Sequence, residues 1–316
     1  MRTFVVDSSA VQLRLDRFVA EHSGVSRGAA MRLIADGLVQ VDGRIGKKGA
    51  ALLAGQTVTV TSEAQDDQST PPVPQPELPL TVLYEDADVV VVSKPQGMAC
   101  HPLRAGELGT VASAVVARYP ECAQAAQPVR EGGVCHRLDT DTSGALIFAR
   151  TQEAWQKLRS DFAEGLIEKE YLALVVGTPS DDEFDVTLPL LTGRGGSPKM
   201  MVATTPEQIY HPAALDAHTC FFVVQRGPTH TLLRVVARTG RRHQIRVHLA
   251  HLGLPIVGDP LYGQGEPGGQ FLHASRLRFG SPSDPSKRIT IEAPLGADRA
   301  TLLAELLPPL GGKENL

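Results

Sequence analysis

The residues of this chain best suited to chemistry lie in the run His136-Arg137-Leu138-Asp139-Thr140-Asp141-Thr142-Ser143-Gly144, where a carboxylate stands between an apolar leucine and a Thr-rich turn. A strand-like segment, Ala145 to Ala149, follows at once. Taken by itself, the run fits a turn whose Asp, Ser and Thr side chains satisfy backbone N–H groups. It also fits a carboxylate placed for general-base or nucleophilic work. Downstream, the stretch from Pro228 to Gly258 carries Arg234, Arg238, Arg241, Arg242 and Arg246 and no acid, which suits a surface facing phosphates. His243, His248 and His251 fall on different parts of one helical segment without a companion carboxylate or cysteine set, so no metal site is expected. Asp141, two residues from Asp139 in an extended segment, points elsewhere and reads as a turn residue.

The elements that must hold these groups follow from periodicity. Leu15, Phe18 and Val19 recur at helical spacing, and after Gly24 a second helix, capped by Ser26, presents Ala30, Leu33 and Ile34 before Gly37 stops it. Leu38–Val41 and Gln56–Val60 read as strands, with Asp42-Gly43 as a tight turn. Residues 62–79 are acidic, polar and proline-rich, which suits a linker, so the domain boundary is set there. Beyond it, strands are expected at Leu83-Tyr84, Val89–Val92, Ala145–Ala149, Tyr171–Val176, Cys220–Gln225 and Thr231–Ala237, and helices near Val111–Arg118 and Glu153–Ala163. Arg242 to Leu252 reads as an amphipathic helix with Ile245, Leu249 and Leu252 inward, Arg242 and Arg246 on the opposite face, and Gly253 as its stop. The mixture lacks a regular βαβ alternation and is α+β.

Composition limits the function classes. At 316 residues, with 42% hydrophobic and 21% charged residues, the chain has the make-up of a folded globular protein. Its net charge of -4 conceals local excess: residues 1 to 60 hold eight Lys/Arg against five Asp/Glu, a second basic region. Cys100, Cys122, Cys135 and Cys220 form no CxxC pair, which argues against a zinc site or a disulfide framework and for a reducing cytoplasm. Neither a signal peptide nor an apolar run long enough to span a bilayer is present, so no membrane association is expected.

The run from His136 to Gly144 resembles the signature of the Rlu-type RNA pseudouridine synthases. Further segments resemble that family in the same order: Leu83-Tyr84-Glu85-Asp86 through Lys94-Pro95-Gln96-Gly97 to His101-Pro102, Lys169-Glu170-Tyr171, Thr239 to His248, Pro255 to Gly263, and Leu272-His273-Ala274. Together they span roughly Pro79 to Pro294. The N-terminal unit separately resembles an S4 RNA-binding domain through Arg14-Leu15-Asp16-Arg17-Phe18, Ser26-Arg27, Gly37 to Gly43 and Gly55-Gln56-Thr57-Val58. Arg242 departs from the family pattern, in which Thr is frequent at that place.

The resemblance implies a pseudouridine synthase domain over 80–310, built on a mixed, largely antiparallel sheet with flanking helices, an S4-like domain over 1–61 and a frayed tail over 311–316. It implies that Asp139 is the essential carboxylate, as nucleophile or as base, that Arg246 pairs with it, and that Tyr171 stacks on the displaced uracil. Arg137 enters the RNA stack or contacts its backbone, and His136, Arg241, Arg242, Arg17, Arg27, Lys47 and Lys48 are the further RNA contacts. A glycosidase needs two carboxylates to deliver water and protonate a leaving group, whereas an isomerase keeps its base and can use one. No cofactor is implied. The expected partner is RNA, ribosomal because relatives with an S4-like arm tend to act on large-subunit RNA, with tRNA as the alternative substrate. The chain is expected to act as a monomer, and the competing reading is a catalytically silent ribosome-assembly factor.

Overall fold

The computed structural model describes residues 1–7, 10, 12–25, 27–47, 49–61, 69–193, 197–265, 268–284 and 286–307. Lys48, the Ser26 cap, residues 62–68 of the expected linker and the 311–316 tail lie outside the described residues. Two units are formed, Met1–Pro71 with Arg104–Gly106, and Pro72–Leu103 with Glu107–Leu316. The division therefore falls inside the segment read as linker. Residues 72–79 belong to the large unit, where Gln75 donates to the Ser113 carbonyl at 3.0 Å and takes the Gly109 N–H on its side chain. Proline there restricts the backbone without preventing it from packing.

In the small unit, β1 (Arg2–Val5), α1 (Leu15–Ser23), α2 (Arg27–Ala35), β2 (Val39–Val41), β3 (Arg44–Ile45) and β4 (Thr57–Val60) succeed one another. The strands form an antiparallel sheet in the order β1-β4-β2-β3. Leu15, Phe18 and Val19 of α1 meet Leu33 and Ile34 of α2 in one core, the stripes that helical spacing predicts. Gly24, at φ +68°, closes α1 in the left-handed conformation.

The large unit begins with β5 (Thr81–Glu85), β6 (Val89–Lys94), α3 (Val111–Arg118), β7 (Ser143–Ala149), α4 (Gln152–Ala163) and β8 (Glu168–Val176). It continues with β9 (Glu183–Val186), β10 (Leu190–Thr192), β11 (Met200–Val202), α5 (Pro206–Ile209), β12 (Thr219–Arg226) and β13 (His230–Ala237). α6 (Gln244–His251), β14 (Leu272–Gly280), β15 (Arg288–Glu292) and α7 (Ala297–Leu306) complete it. The main sheet runs β5-β6-β7-β14-β8-β13-β12-β9, with β15 on β14; all these pairings are antiparallel except β7 with β14. Val89 and Val91 pack toward α4 while Val90 and Val92 pack toward α3. Burial on both faces is why β6 reads as an unbroken valine run rather than an alternation.

One row across this sheet positions the site. Lys94, Gly144, Ala274, Tyr171 and Val235 are successive partners on β6, β7, β14, β8 and β13. The two small members sit in the middle for a steric reason. Gly144 has φ +111°, and a Cβ there would lie 2.2 Å from the Ala274 carbonyl oxygen. Gly144→Ala is expected to cost about 3 kcal/mol or more, through backbone strain and overpacking together. Gly24→Ala, with the same sign of φ but open space around it, should cost only about 1 kcal/mol. Urea titration of both variants tests this, and equal losses would refute the close-approach argument.

Candidate active site

The backbone of the 136–144 run is tied down before its side chains are considered. Cys100 Sγ accepts from the Leu138 N–H at 3.2 Å and donates to the Leu138 carbonyl at 3.3 Å. Lys94, wholly buried, donates from Nζ to the Thr140 carbonyl at 2.6 Å and to the Pro95 carbonyl at 2.9 Å. Burial pulls the pKa of this lysine down to about 8, against the pull of Cys100, Asp141 and Asp139. Gln270 Nε2 holds Thr142 Oγ1 at 2.7 Å, and the Thr142 N–H closes the turn onto the Asp139 carbonyl at 3.0 Å. Asp139 is thus carried on a braced turn.

Its carboxylate heads a chain of charge-assisted hydrogen bonds. Leu261 and Tyr262 donate backbone N–H groups to Asp259 Oδ1 at 2.8 and 3.0 Å. Asp259 in turn takes Arg246 Nε at 2.7 Å and Nη2 at 2.9 Å, a bidentate fork, and Arg246 Nη1 reaches Asp139 Oδ2 at 2.7 Å. Side-chain exposure rises along the chain from 0% at Asp259 to 5% at Arg246 and 26% at Asp139, so only the last carboxylate is open to a ligand. Burial works against the charge of Arg246, yet Asp259 and Asp139 hold its pKa above the ordinary arginine value. Burial likewise pushes Asp259 up, and the Arg246 and backbone hydrogen bonds hold it below the ordinary carboxylate range. Tyr262 supports the guanidinium, its ring centroid 5.3 Å away and its hydroxyl accepting from the Met200 N–H at 2.7 Å.

Asp139, Arg246 and Tyr171 line one cavity of about 800 Å³ within the large unit. Burial, with Asp139 and Cys100 nearby, raises the Tyr171 phenol well above its usual pKa, so at neutral pH it is a protonated hydroxyl. Arg137 also lines the cavity; it is exposed and makes no hydrogen bond or ion pair to a described residue. Among the described residues, no group of three or more His, Cys, Asp or Glu is placed to hold a metal.

Several expectations need correction. Arg246 does face Asp139, but the helix that carries it is not amphipathic as expected: α6 starts at Gln244 and is buried nearly all round, its polar residues satisfied by tertiary partners. Gln244 bonds the His218 carbonyl and Thr219, and His248 meets Thr219 and the Leu188 carbonyl. Arg242 lies ahead of that helix, outside the cavity, with Nη2 3.4 Å from Met200 Sδ. His136 lines the cavity as a strut and not as a phosphate-binding cation. Its Nε2 accepts from the Ile147 N–H at 3.2 Å, its ring packs on Phe162 at 4.6 Å between centroids, and burial lowers its pKa to about 3. Arg241 does line the cavity, with Nε on the Asp216 carbonyl at 2.8 Å. In the small unit Arg17 pairs with Glu21 at 2.7 Å, Arg27 with the buried Asp16 at 2.7 Å, and Lys47 is exposed. The residues that sequence reasoning missed are Lys94, Cys100, Asp259 and Tyr262. Asp259 lay within a family-like segment, but nothing in the pattern linked it to Arg246.

Residues 88–251, about half of the chain, match the family described as RNA pseudouridylate synthase. An uncharacterised RNA pseudouridine synthase of Bacillus subtilis (strain 168), YlyB, is 33% identical over 305 residues, 93% of this chain and 94% of that protein. Ribosomal large subunit pseudouridine synthase D of Xanthomonas campestris is 35% identical over 327 residues, covering 97% of this chain and 92% of its own. A solved structure of human RNA pseudouridylate synthase domain containing 4 shares the fold, with a TM-score of 0.57 at 20% identity over 72% of this chain and 92% of that one. The chain belongs to the RNA pseudouridylate synthase family and is an isomerase acting on RNA.

Proposed function

We propose that the enzyme isomerises uridines of large-subunit ribosomal RNA in the cytoplasm, with Asp139 as the group that initiates cleavage of the bond between C1′ and N1. The observation that carries this is the half-open Asp139 carboxylate, held at 2.7 Å by an arginine that a fully buried carboxylate clamps from behind. Such a carboxylate is fixed in direction and cannot turn away when water leaves the pocket. A uridine within a folded RNA cannot expose C1′ and C5 together, so it is turned out into the cavity. There the C1′–N1 bond breaks, the base rotates and bonds C1′ through C5, and the proton lost from C5 is balanced by one gained at N1, so the product is an isomer of the substrate. Tyr171 offers an aromatic face for the detached uracil and a protonated hydroxyl to hydrogen-bond it. Arg137, at the cavity wall and without an ion pair among the described residues, takes the place the base vacates or meets the RNA backbone. The S4-like small unit adds sequence-independent affinity.

The substrate is tested by mapping pseudouridines in ribosomal and transfer RNA from cells with and without the gene, complemented by wild type or Asp139→Ala. Large-subunit positions should disappear with the gene and return only with wild type. Loss confined to tRNA would overturn the ribosomal assignment, and restoration by Asp139→Ala would overturn the catalytic one. Tyr171→Phe keeps the ring and removes the hydroxyl, and is expected to slow single-turnover conversion about a hundredfold with little change in RNA affinity. A wild-type rate would remove the hydroxyl from the chemistry.

A further inference from the structure

Lys169 stands on the same face of β8 as Tyr171, two residues away, and is 7% exposed. Its ammonium has the Thr239 carbonyl at 3.4 Å and the Phe162 ring centroid at 5.9 Å, and it lines the cavity. Among the described residues no carboxylate forms an ion pair with it. Glu168 and Glu170, its chain neighbours, project to the other face of the strand, where Glu168 meets Arg278 at 3.8 Å and Glu170 meets Arg276 at 3.5 Å. Of the charges around Lys169 only Arg241 acts on it, and that charge is of the same sign. Two further cations of the cavity wall donate to neutral acceptors, Arg241 to the Asp216 carbonyl at 2.8 Å and Arg159 to the Cys135 carbonyl at 3.3 Å, and neither has an ion pair among the described residues. His136, on the same wall, is held neutral by burial.

A buried ammonium without a counter-ion is costly in the free protein, and the cost is relieved when an anion arrives. We propose that Lys169, with Arg159 and Arg241, forms a subsite for one backbone phosphate of the RNA beside the turned-out uridine. The proposal rests on the chain being an RNA pseudouridine synthase. Asp139 is held by Arg246 at 2.7 Å, whereas the ammonium of Lys169 is directed to the Thr239 carbonyl, so Lys169 is proposed as a binding group and not a reacting one. Burial and Arg241 lower its pKa to about 8, which leaves it mostly charged at neutral pH.

The test uses the full-length protein with unmodified transcripts of large-subunit ribosomal RNA and of tRNA carrying tritium at uridine C5. Lys169→Met and Lys169→Arg are compared with wild type on whichever transcript releases tritium. Lys169→Met should weaken RNA binding about tenfold, the worth of one charged hydrogen bond, and reduce the slope of log affinity against log salt by about 0.7. At saturating RNA its single-turnover release should stay within about threefold of wild type, since the chemistry is elsewhere. Its melting temperature should not fall, because the substitution removes an uncompensated buried charge, and Lys169→Arg should recover most of the affinity. An unchanged salt slope in Lys169→Met, or a lost rate at saturation with affinity intact, would overturn the subsite. Release from tRNA alone would instead overturn the ribosomal reading and leave the Lys169 comparison valid on that RNA.

Discussion

Asp139→Asn is expected to lower single-turnover pseudouridine formation about ten-thousandfold or more, the upper range for losing a positioned acid–base or nucleophilic group. The substitution preserves shape and leaves an amide oxygen where Arg246 Nη1 now donates at 2.7 Å. Arg246 also keeps its bidentate hold on Asp259, so folding stability should change little. RNA affinity should be retained as well, because the cationic wall of the cavity is untouched. Tritium release from C5, read beside a thermal melt and a binding isotherm, separates these quantities. A variant that converted uridine at even a tenth of the wild-type rate would remove Asp139 from the reaction.

Arg246→Met should damage both fold and chemistry. Asp259 is fully buried and its chief partner is this guanidinium, and breaking a buried pair by removing one member typically costs about 3–5 kcal/mol. Activity should fall about a thousandfold, as when a preorganised donor is taken from a site. Arg246→Lys should fall in between, since an ammonium is a single point and cannot span two carboxylates as the fork does. The pH dependence gives a separate test. In wild type the folded-state pKa of Asp259 is depressed, so its contribution is complete above the unfolded carboxylate value, near 4, and is lost as pH falls through the lower folded value. Without Arg246 the carboxyl of Asp259 is buried unpaired, its pKa rises, and the variant should lose stability as pH increases through that raised value. Denaturant melts from about pH 2 to 8 would show wild type gaining stability as pH rises to about 4 and Arg246→Met losing it as pH rises further; parallel curves would mean that the pair does not act as described.

The legible and illegible parts of the molecule differ in where their partners come from. Val89–Val92 and the stripes of α1 and α2 could be read because their burial is written in local spacing. β14 was not read, since Leu272, His273 and Ala274 are buried in succession and an irregularity between Ala274 and Arg276 puts the later alternation of Arg276 and Arg278 with Leu277 and Phe279 out of phase. Those arginines are accommodated by Glu292 at 2.8 Å and Glu168 at 3.8 Å from other strands. The same limit hid the burial of the helix that carries Arg246. Gln244, Arg246 and His248 look like the polar face of a surface helix, and their burial is possible only because Thr219, Asp259, Asp139 and the Leu188 carbonyl meet them from elsewhere. The site itself was found through resemblance, which carried Asp139, Tyr171 and Arg246 together. The clamp by Asp259, thirteen positions from Arg246, and the brace by Lys94 are tertiary facts without a local signature. Short strands such as β10 and β11, three residues each, carry too little pattern to register at all.

The parallel pairing of β14 with β7 also bears on how the molecule comes into being. β7 and β8 follow one another in the chain with only α4 between them, yet in the sheet they are separated by β14, which is synthesised about a hundred residues later. Until Leu272–Gly280 is available, the strand leading away from Asp139 and the strand bearing Tyr171 share no neighbour. The two halves of the site therefore cannot be assembled on a growing polypeptide before the ninth-tenth of its length has been made, and a product ending ahead of Leu272 would carry every proposed chemical group and no active site.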